Sequence, residues 1–243
     1  MCLAAEGASC GPEEVLLFRN VANLLLRLIW RIVYRVDLTG TENVPRQGGF
    51  IVMMNHIYFI DPVLVASLAP RFIVIMSKVE NYRSPLAGLF VRAYGTFAVR
   101  RGELDMSAIR TSLQVLEQGH GLLMAPEGTR SRSHTLQEGK DGLAWLATRS
   151  GVPVVPVALS GHEKLWSNAR RLRRTPFRIS FGQPFVLHLN SDQPSRPQLG
   201  QMTRELMYRL ASMLPPEYRG VYSDLSQATN ATLLPVPPEG QAG

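Results

Sequence analysis

Residues 50–62 read Phe50-Ile51-Val52-Met53-Met54-Asn55-His56-Ile57-Tyr58-Phe59-Ile60-Asp61-Pro62, and their order points to the fold. An apolar run of five gives a buried-looking strand, and Asp followed by Pro is a common way to open a helix. The polar residues between them therefore sit on a strand-to-helix turn, where α/β proteins place their ligands. Working outward, apolar β-rich runs recur at 72–76, 96–99, 122–125, 152–159 and 178–185. Helical stretches fall between most of them, at 62–69, 85–93, 105–118 and 139–149, with a last one at 198–213. Strand and helix taking turns predicts an α/β fold with a mostly parallel central sheet flanked by helices.

The 243 residues suit one substantial core with appendages, and a hydrophobic fraction of 45% is ordinary for a globular chain. A formal charge of +7 suits partners that carry negative charge: nucleic acid, anionic lipid or phosphorylated small molecules. Cys2 and Cys10 stand in a small-residue leader and make no disulfide framework, so a reducing compartment is expected. That leader lacks the basic start and apolar core of a signal peptide. The tail beyond about residue 226 offers little to bury.

Residues 14–36 follow a helical period. Asn20, Asn23, Arg27, Arg31 and Arg35 fall on one side, and Leu25, Leu26, Leu28, Ile29, Ile32 and Val33 on the other. So many arginines in mid-segment make a spanning helix costly. Two readings stand at this point: a core helix with a solvated polar stripe, or an in-plane helix with its apolar face in lipid.

Four blocks carry the chemistry. In the first, His56 can take and return a proton near neutral pH, and Asp61, five residues on, can hold one ring nitrogen while the other works. The plainer alternatives are a hydrogen-bonded structural histidine and an N-cap aspartate ahead of Pro62. In the second, Pro126-Glu127-Gly128-Thr129-Arg130-Ser131 follows a strand, and Arg130 can grip a phosphate with two parallel bonds. Glu127 could aim that guanidinium or meet a substrate hydroxyl; a solvated turn with a surface ion pair is the plain version. The third, Gly95-Thr96-Phe97-Ala98-Val99-Arg100-Arg101-Gly102, is a strand delivering two arginines to its end. The fourth, Val152-Pro153-Val154-Val155-Pro156-Val157, carries two prolines, which predicts an edge strand or a distorted ladder.

In this order and at these separations the blocks resemble the bacterial 1-acylglycerol-3-phosphate acyltransferases of the glycerolipid acyltransferase family. His56 and Asp61 match its histidine–four residues–aspartate motif, and Gly95 through Arg101, with Lys78, Pro85 and Gly88 upstream, match its glycine-led second block. Glu127 to Arg130 stand intact as the Glu-Gly-Thr-Arg block, and the proline-containing run matches the fourth, so the likeness covers about residues 38–190. Two positions depart from it: Tyr58 replaces a small hydroxyl residue, and Arg100 replaces an acidic one.

The resemblance implies transfer of a fatty acyl group from acyl-CoA or acyl-ACP to the free hydroxyl of 1-acyl-sn-glycerol 3-phosphate (lysophosphatidic acid), giving phosphatidic acid. His56 and Asp61 would be catalytic, and Arg101, Glu127, Gly128, Thr129 and Arg130 would bind substrate. It also implies attachment through the N-terminal helix to an anionic membrane surface, at the cytoplasmic face of the cell membrane. The expected organisation is a leader and interfacial helix at 1–36, the acyltransferase domain at 37–214 and a partly disordered extension at 215–243. No Gly-x-Ser-x-Gly elbow is present, so direct transfer without an acyl-enzyme is expected. No metal is expected, because His120, His134, His162 and His188 lack ligand spacing. Arg170, Arg171, Arg173, Arg174 and Arg178 could mark a nucleic-acid patch, but Phe177 is the sole interleaved aromatic, and nucleic acid is not expected as a partner.

Overall fold

The computed structural model describes residues 12–84, 88, 90–92, 94–100, 105–188 and 194–236. Its strands are β1 (Tyr34–Thr39), β2 (Phe50–Met54), β3 (Ile73–Lys78), β4 (Phe97–Val99), β5 (Gly121–Met124), β6 (Val154–Ser160), β7 (Thr175–Phe181), β8 (Phe185–Leu187) and β9 (Leu233–Pro235). They form one sheet in the order β1-β7-β6-β2-β5-β3-β4, with β8 pairing both β6 and β9. Strands β2 to β6 run parallel to one another where they pair; β7 is antiparallel to β6, and β1 runs parallel to β7. The sheet is therefore mixed and mostly parallel.

The apolar run at β2 has a simple cause: all five residues are buried, and alternate ones serve opposite faces. Ile51 and Met53 join the core beneath α4 (Met106–Glu117), α5 (Gly142–Ser150) and α7 (Arg196–Ser212). Phe50, Val52 and Met54 pack on the opposite side with Trp30 of α1 (Pro12–Val33) and Leu64 of α2 (Asp61–Leu68). Two short helices are α3 (Val79–Arg83) and α6 (Leu165–Arg170). Of the helix expected at 85–93, Gly88 and 90–92 are described and helical. Residues 216–235 are ordered against the domain, with Tyr218, Tyr222 and Leu233 buried. Residues 237–243 lie outside the described residues.

Of the two arrangements that the prolines of β6 allow, the structure takes the distorted ladder. β6 is not an edge: its seven residues are all buried between β2 and β7. Pro156 instead marks a change of partner on one flank, from β8 at Val154 to β7 from Val157 onward. Its missing N–H falls in that gap, while its carbonyl still accepts from Gly182 N–H at 2.8 Å.

The N-terminal helix packs on the domain through a mixed face, with Ala22, Leu26, Trp30 and Val33 against the core beside Arg19 and Asn23. Arg19 is buried, donates to the carbonyls of Ile73 and Tyr94, and lies over the rings of Phe72 and Tyr94. Burial lowers its pKa to about 10. Asn23 Oδ1 accepts from Tyr94 OH at 2.7 Å, and Arg27 Nε donates to Ser67 O at 2.7 Å. Leu24, Leu25, Leu28, Ile29 and Ile32 face outward, Ile32 at 74% exposure. Arg27, Arg31 and Arg35 are exposed, as a solvated stripe requires, but most of the apolar side is exposed too, and of it Leu26 and Val33 pack on the domain. The helix also stops at Val33, so Tyr34 to Val36 pair with Thr175 to Phe177 as strand, and the junction expected at 36/37 falls inside β1. No described helix is long and apolar enough to cross a membrane.

Candidate active site

The carboxyl end of β2 is tied down before the turn begins. Asn55, directly after the strand, donates from Nδ2 to Leu159 O at 2.9 Å and accepts from Leu159 N–H at 2.8 Å. With both amide atoms committed to β6, the chain leaves the sheet in one direction and presents His56 at its end.

The turn then closes on Asp61. Oδ2 accepts the N–H groups of Ile57 and Tyr58, each at 2.7 Å, and lies 3.3 Å from His56 Nδ1. This Asp61 is fully buried and makes no side-chain cap to α2, which starts at Asp61 behind Ile60. The Asp-Pro pair thus starts the helix in sequence, but the carboxylate reaches back into the loop. His56 Nε2 makes no hydrogen bond among the described residues, so one ring nitrogen is oriented and the other is uncommitted.

A second loop, 125–137, backs the first. Gly128 closes a tight turn, its N–H donating to Ala125 O at 2.9 Å; the turn holds it at φ +69°, a left-handed conformation that favours glycine. Ser131 N–H donates to His56 O at 2.7 Å. Glu127 is buried and clamps the two loops together: Oε1 accepts from His56 N–H at 3.4 Å and Oε2 from Gln137 N–H at 3.0 Å. Desolvation pushes its carboxyl up to about 7, and the two N–H donors oppose that rise.

Thr129 and Arg130 are exposed beyond this clamp, Arg130 with its guanidinium carbon 6.0 Å from the Phe59 ring centre. No ion pair joins Glu127 to Arg130 among the described residues. The site therefore brings His56, Asp61, Glu127 and Gly128 together and leaves Arg130 at the rim; Arg101 lies outside the described residues. Arg100 N–H donates to Asp105, whose carboxylate also caps α4.

Sequence reasoning gave no role to His162. It follows β6 directly, after Gly161, and is fully buried with Nε2 3.4 Å from Asp61 Oδ1. Tyr58, Tyr34 and Phe177 surround its ring, with centroids 5.1, 6.0 and 4.2 Å away. Of the arginine cluster, Arg174 donates twice to Tyr34 O and Arg178 pairs with Asp37, both linking β7 to β1.

The acyltransferase family matches residues 35–160, just over half of the chain. A 1-acyl-sn-glycerol-3-phosphate acyltransferase of Borreliella burgdorferi is 28% identical over 133 residues, covering 54% of this chain and 53% of that protein. A lyso-ornithine lipid O-acyltransferase of Pseudomonas aeruginosa is 35% identical over 137 residues, covering 56% and 51%. The chain thus spans about half the length of these two relatives. The crystal structure of the 1-acyl-sn-glycerophosphate (LPA) acyltransferase PlsC from Thermotoga maritima shares the fold, with a TM-score of 0.56 at 24% identity over 83% of this chain and 79% of that one. With that family matched over residues 35–160, more than half of its length, the chain belongs to the acyltransferase family.

Proposed function

We propose that the chain acylates the free hydroxyl of 1-acyl-sn-glycerol 3-phosphate from acyl-CoA or acyl-ACP, giving phosphatidic acid. The observation that carries this reading is the His56–Asp61 pair at 3.3 Å on the turn after β2, with Nε2 uncommitted. His56 Nε2 removes the hydroxyl proton as oxygen attacks the thioester carbonyl; the C–S bond breaks, and the imidazolium can return the proton to the leaving thiolate. Asp61 holds Nδ1–H and stabilises the imidazolium. No serine elbow supports an acyl-enzyme, so oxygen is acylated directly.

Arg130, with Arg101, holds the acceptor phosphate so that the hydroxyl meets the carbonyl in line. Glu127 props the loop that carries Gly128, Thr129 and Arg130, through the backbone of His56 and Gln137. The reaction takes place at an anionic bilayer, on the cytoplasmic face of the cell membrane, where the outward face of α1 enters the interface. A groove of about 480 Å³ along that helix, lined by Leu24, Leu28 and Leu68 with Arg27, Arg31 and Arg174, supports the same placement.

A second acceptor class has its own support: the Pseudomonas relative bears the name of a lyso-ornithine lipid acyltransferase, and Tyr58 and Arg100 depart from the family pattern close to the site. One experiment separates them. Purified protein is given acyl-CoA with lysophosphatidate, lyso-ornithine lipid and monoacylglycerol, and products are identified by mass spectrometry, for wild type and Arg130→Lys. Lysophosphatidate should be preferred, and Arg130→Lys should lower kcat/KM for it selectively, because lysine keeps the charge and loses the two-pronged grip. Preference for a phosphate-free acceptor would defeat the assignment.

A further inference from the structure

The histidine at the end of β6 has no evident structural reason to be polar. His162 is fully buried, and neither ring nitrogen has a hydrogen-bond partner among the described residues. An imidazole costs more to desolvate than a phenyl ring, and Tyr34, Tyr58 and Phe177 around it would accept a phenyl. One polar atom faces it. Asp61 Oδ1, also buried and without a hydrogen-bond partner, lies 3.4 Å from Nε2. The other oxygen of the same carboxylate already serves His56, Ile57 and Tyr58.

We propose that His162 is a positioning residue for acyl transfer, its Nε2–H held to Asp61 Oδ1 so that Oδ2 stays turned toward His56. This rests on His56 being the general base. At 3.4 Å the pair is near enough for a hydrogen bond but is not aligned as one, and catalytic hydrogen bonds commonly tighten in the substrate complex. Burial lowers the pKa of His162, while Asp61 and Glu163 oppose that shift and His134 adds to it, so the ring is a neutral donor and not a second cation. A neutral donor on Oδ1 fixes the carboxylate plane without competing for its charge. The chain has to bring it from far away: His162 follows β6, the strand that Asn55 grips at Leu159. The same tie that aims His56 therefore also sets His162 against Asp61.

The test compares His162→Phe and His162→Gln with wild type and His56→Ala, reading kcat, KM for both substrates, and Tm. Phenylalanine fills the aromatic cage and removes the donor. Its kcat should fall about 10–100-fold, the range known for losing the outer hydrogen-bond partner of a metal-bound histidine or carboxylate, with KM values and Tm held. Glutamine places an amide N–H where Nε2 stood and should recover most of that loss. Should the phenylalanine variant not fold, His162→Asn, whose amide reaches only the Nδ1 position, takes its place with the same expected loss. Wild-type kcat in the donor-less variant while His56→Ala is inactive would overturn the role of His162 alone. So would equal losses in the glutamine and donor-less variants, or a change confined to KM. Activity retained in His56→Ala would instead bring down the general-base assignment and this proposal with it.

Discussion

Asn55 grips Leu159 from both sides of one peptide position, donating to its carbonyl at 2.9 Å and accepting from its N–H at 2.8 Å across 104 residues of sequence. Asn55→Leu keeps the volume and loses both bonds, leaving Leu159 N–H and C=O unsatisfied where water cannot reach. Each orphaned group costs about 1–3 kcal/mol, so unfolding free energy should drop by about 2–6 kcal/mol. Urea unfolding checks this; a loss below about 1 kcal/mol would mean the grip contributes little.

Glu127 supplies a pH dependence of stated sign. Its folded pKa is raised to about 7 from the ordinary 4.5, so the folded protein holds this proton more tightly than the unfolded chain does. The associated stability is fully present below the unfolded value and is lost as pH rises through about 7. Glu127→Gln should remove that part of the slope. Thermal unfolding of both proteins from pH 4.5 to 8 measures the difference; parallel curves would show that the carboxyl is not held protonated.

The outward face of α1 gives a prediction in which binding and stability part company. Leu25, Ile29 and Ile32 are 54%, 46% and 74% exposed, so replacing all three with Ser removes little from the core. In lipid each loses on the order of 1 kcal/mol or more of burial, enough together for about a 100-fold weaker liposome partition. Tm should move little. Undiminished sedimentation with neutral and anionic liposomes would rule out this face as the anchor.

Where the sequence succeeded and failed has a physical pattern. The strand-to-helix order, the buried β2 run and the His56–Asp61 pair are local: periodicity and a spacing of five residues carry them. Contacts made by distant chain segments were not legible. Nothing near Asp61 announces His162, and nothing near Arg19 announces the carbonyls of Ile73 and Tyr94 that it meets. The helical period of α1 does not mark the face the domain takes, because Leu26 and Val33 pack inward while Leu25, Leu28, Ile29 and Ile32 stay exposed. Asn23, Arg27 and Trp30 find partners on Tyr94 and Ser67, and Leu24, Leu25 and Leu28 are left outside. The two prolines of β6 left an edge and a distorted ladder open, and the assembled sheet takes the second, with the change of partner from β8 to β7 at Pro156.

The central claim is that His56 moves the proton during acyl transfer, and it is tested most directly by turnover of His56→Ala with acyl-CoA and lysophosphatidate. Folding and liposome binding should persist, since the backbone bonds of His56 to Glu127 and Ser131 do not need the ring. Turnover should fall by at least about 100- to 10,000-fold, the range for removing a general base. Asp61→Asn should follow it downward while keeping an acceptor for the Ile57 and Tyr58 N–H groups. A folded His56→Ala protein that turns over at close to the wild-type rate would contradict the account.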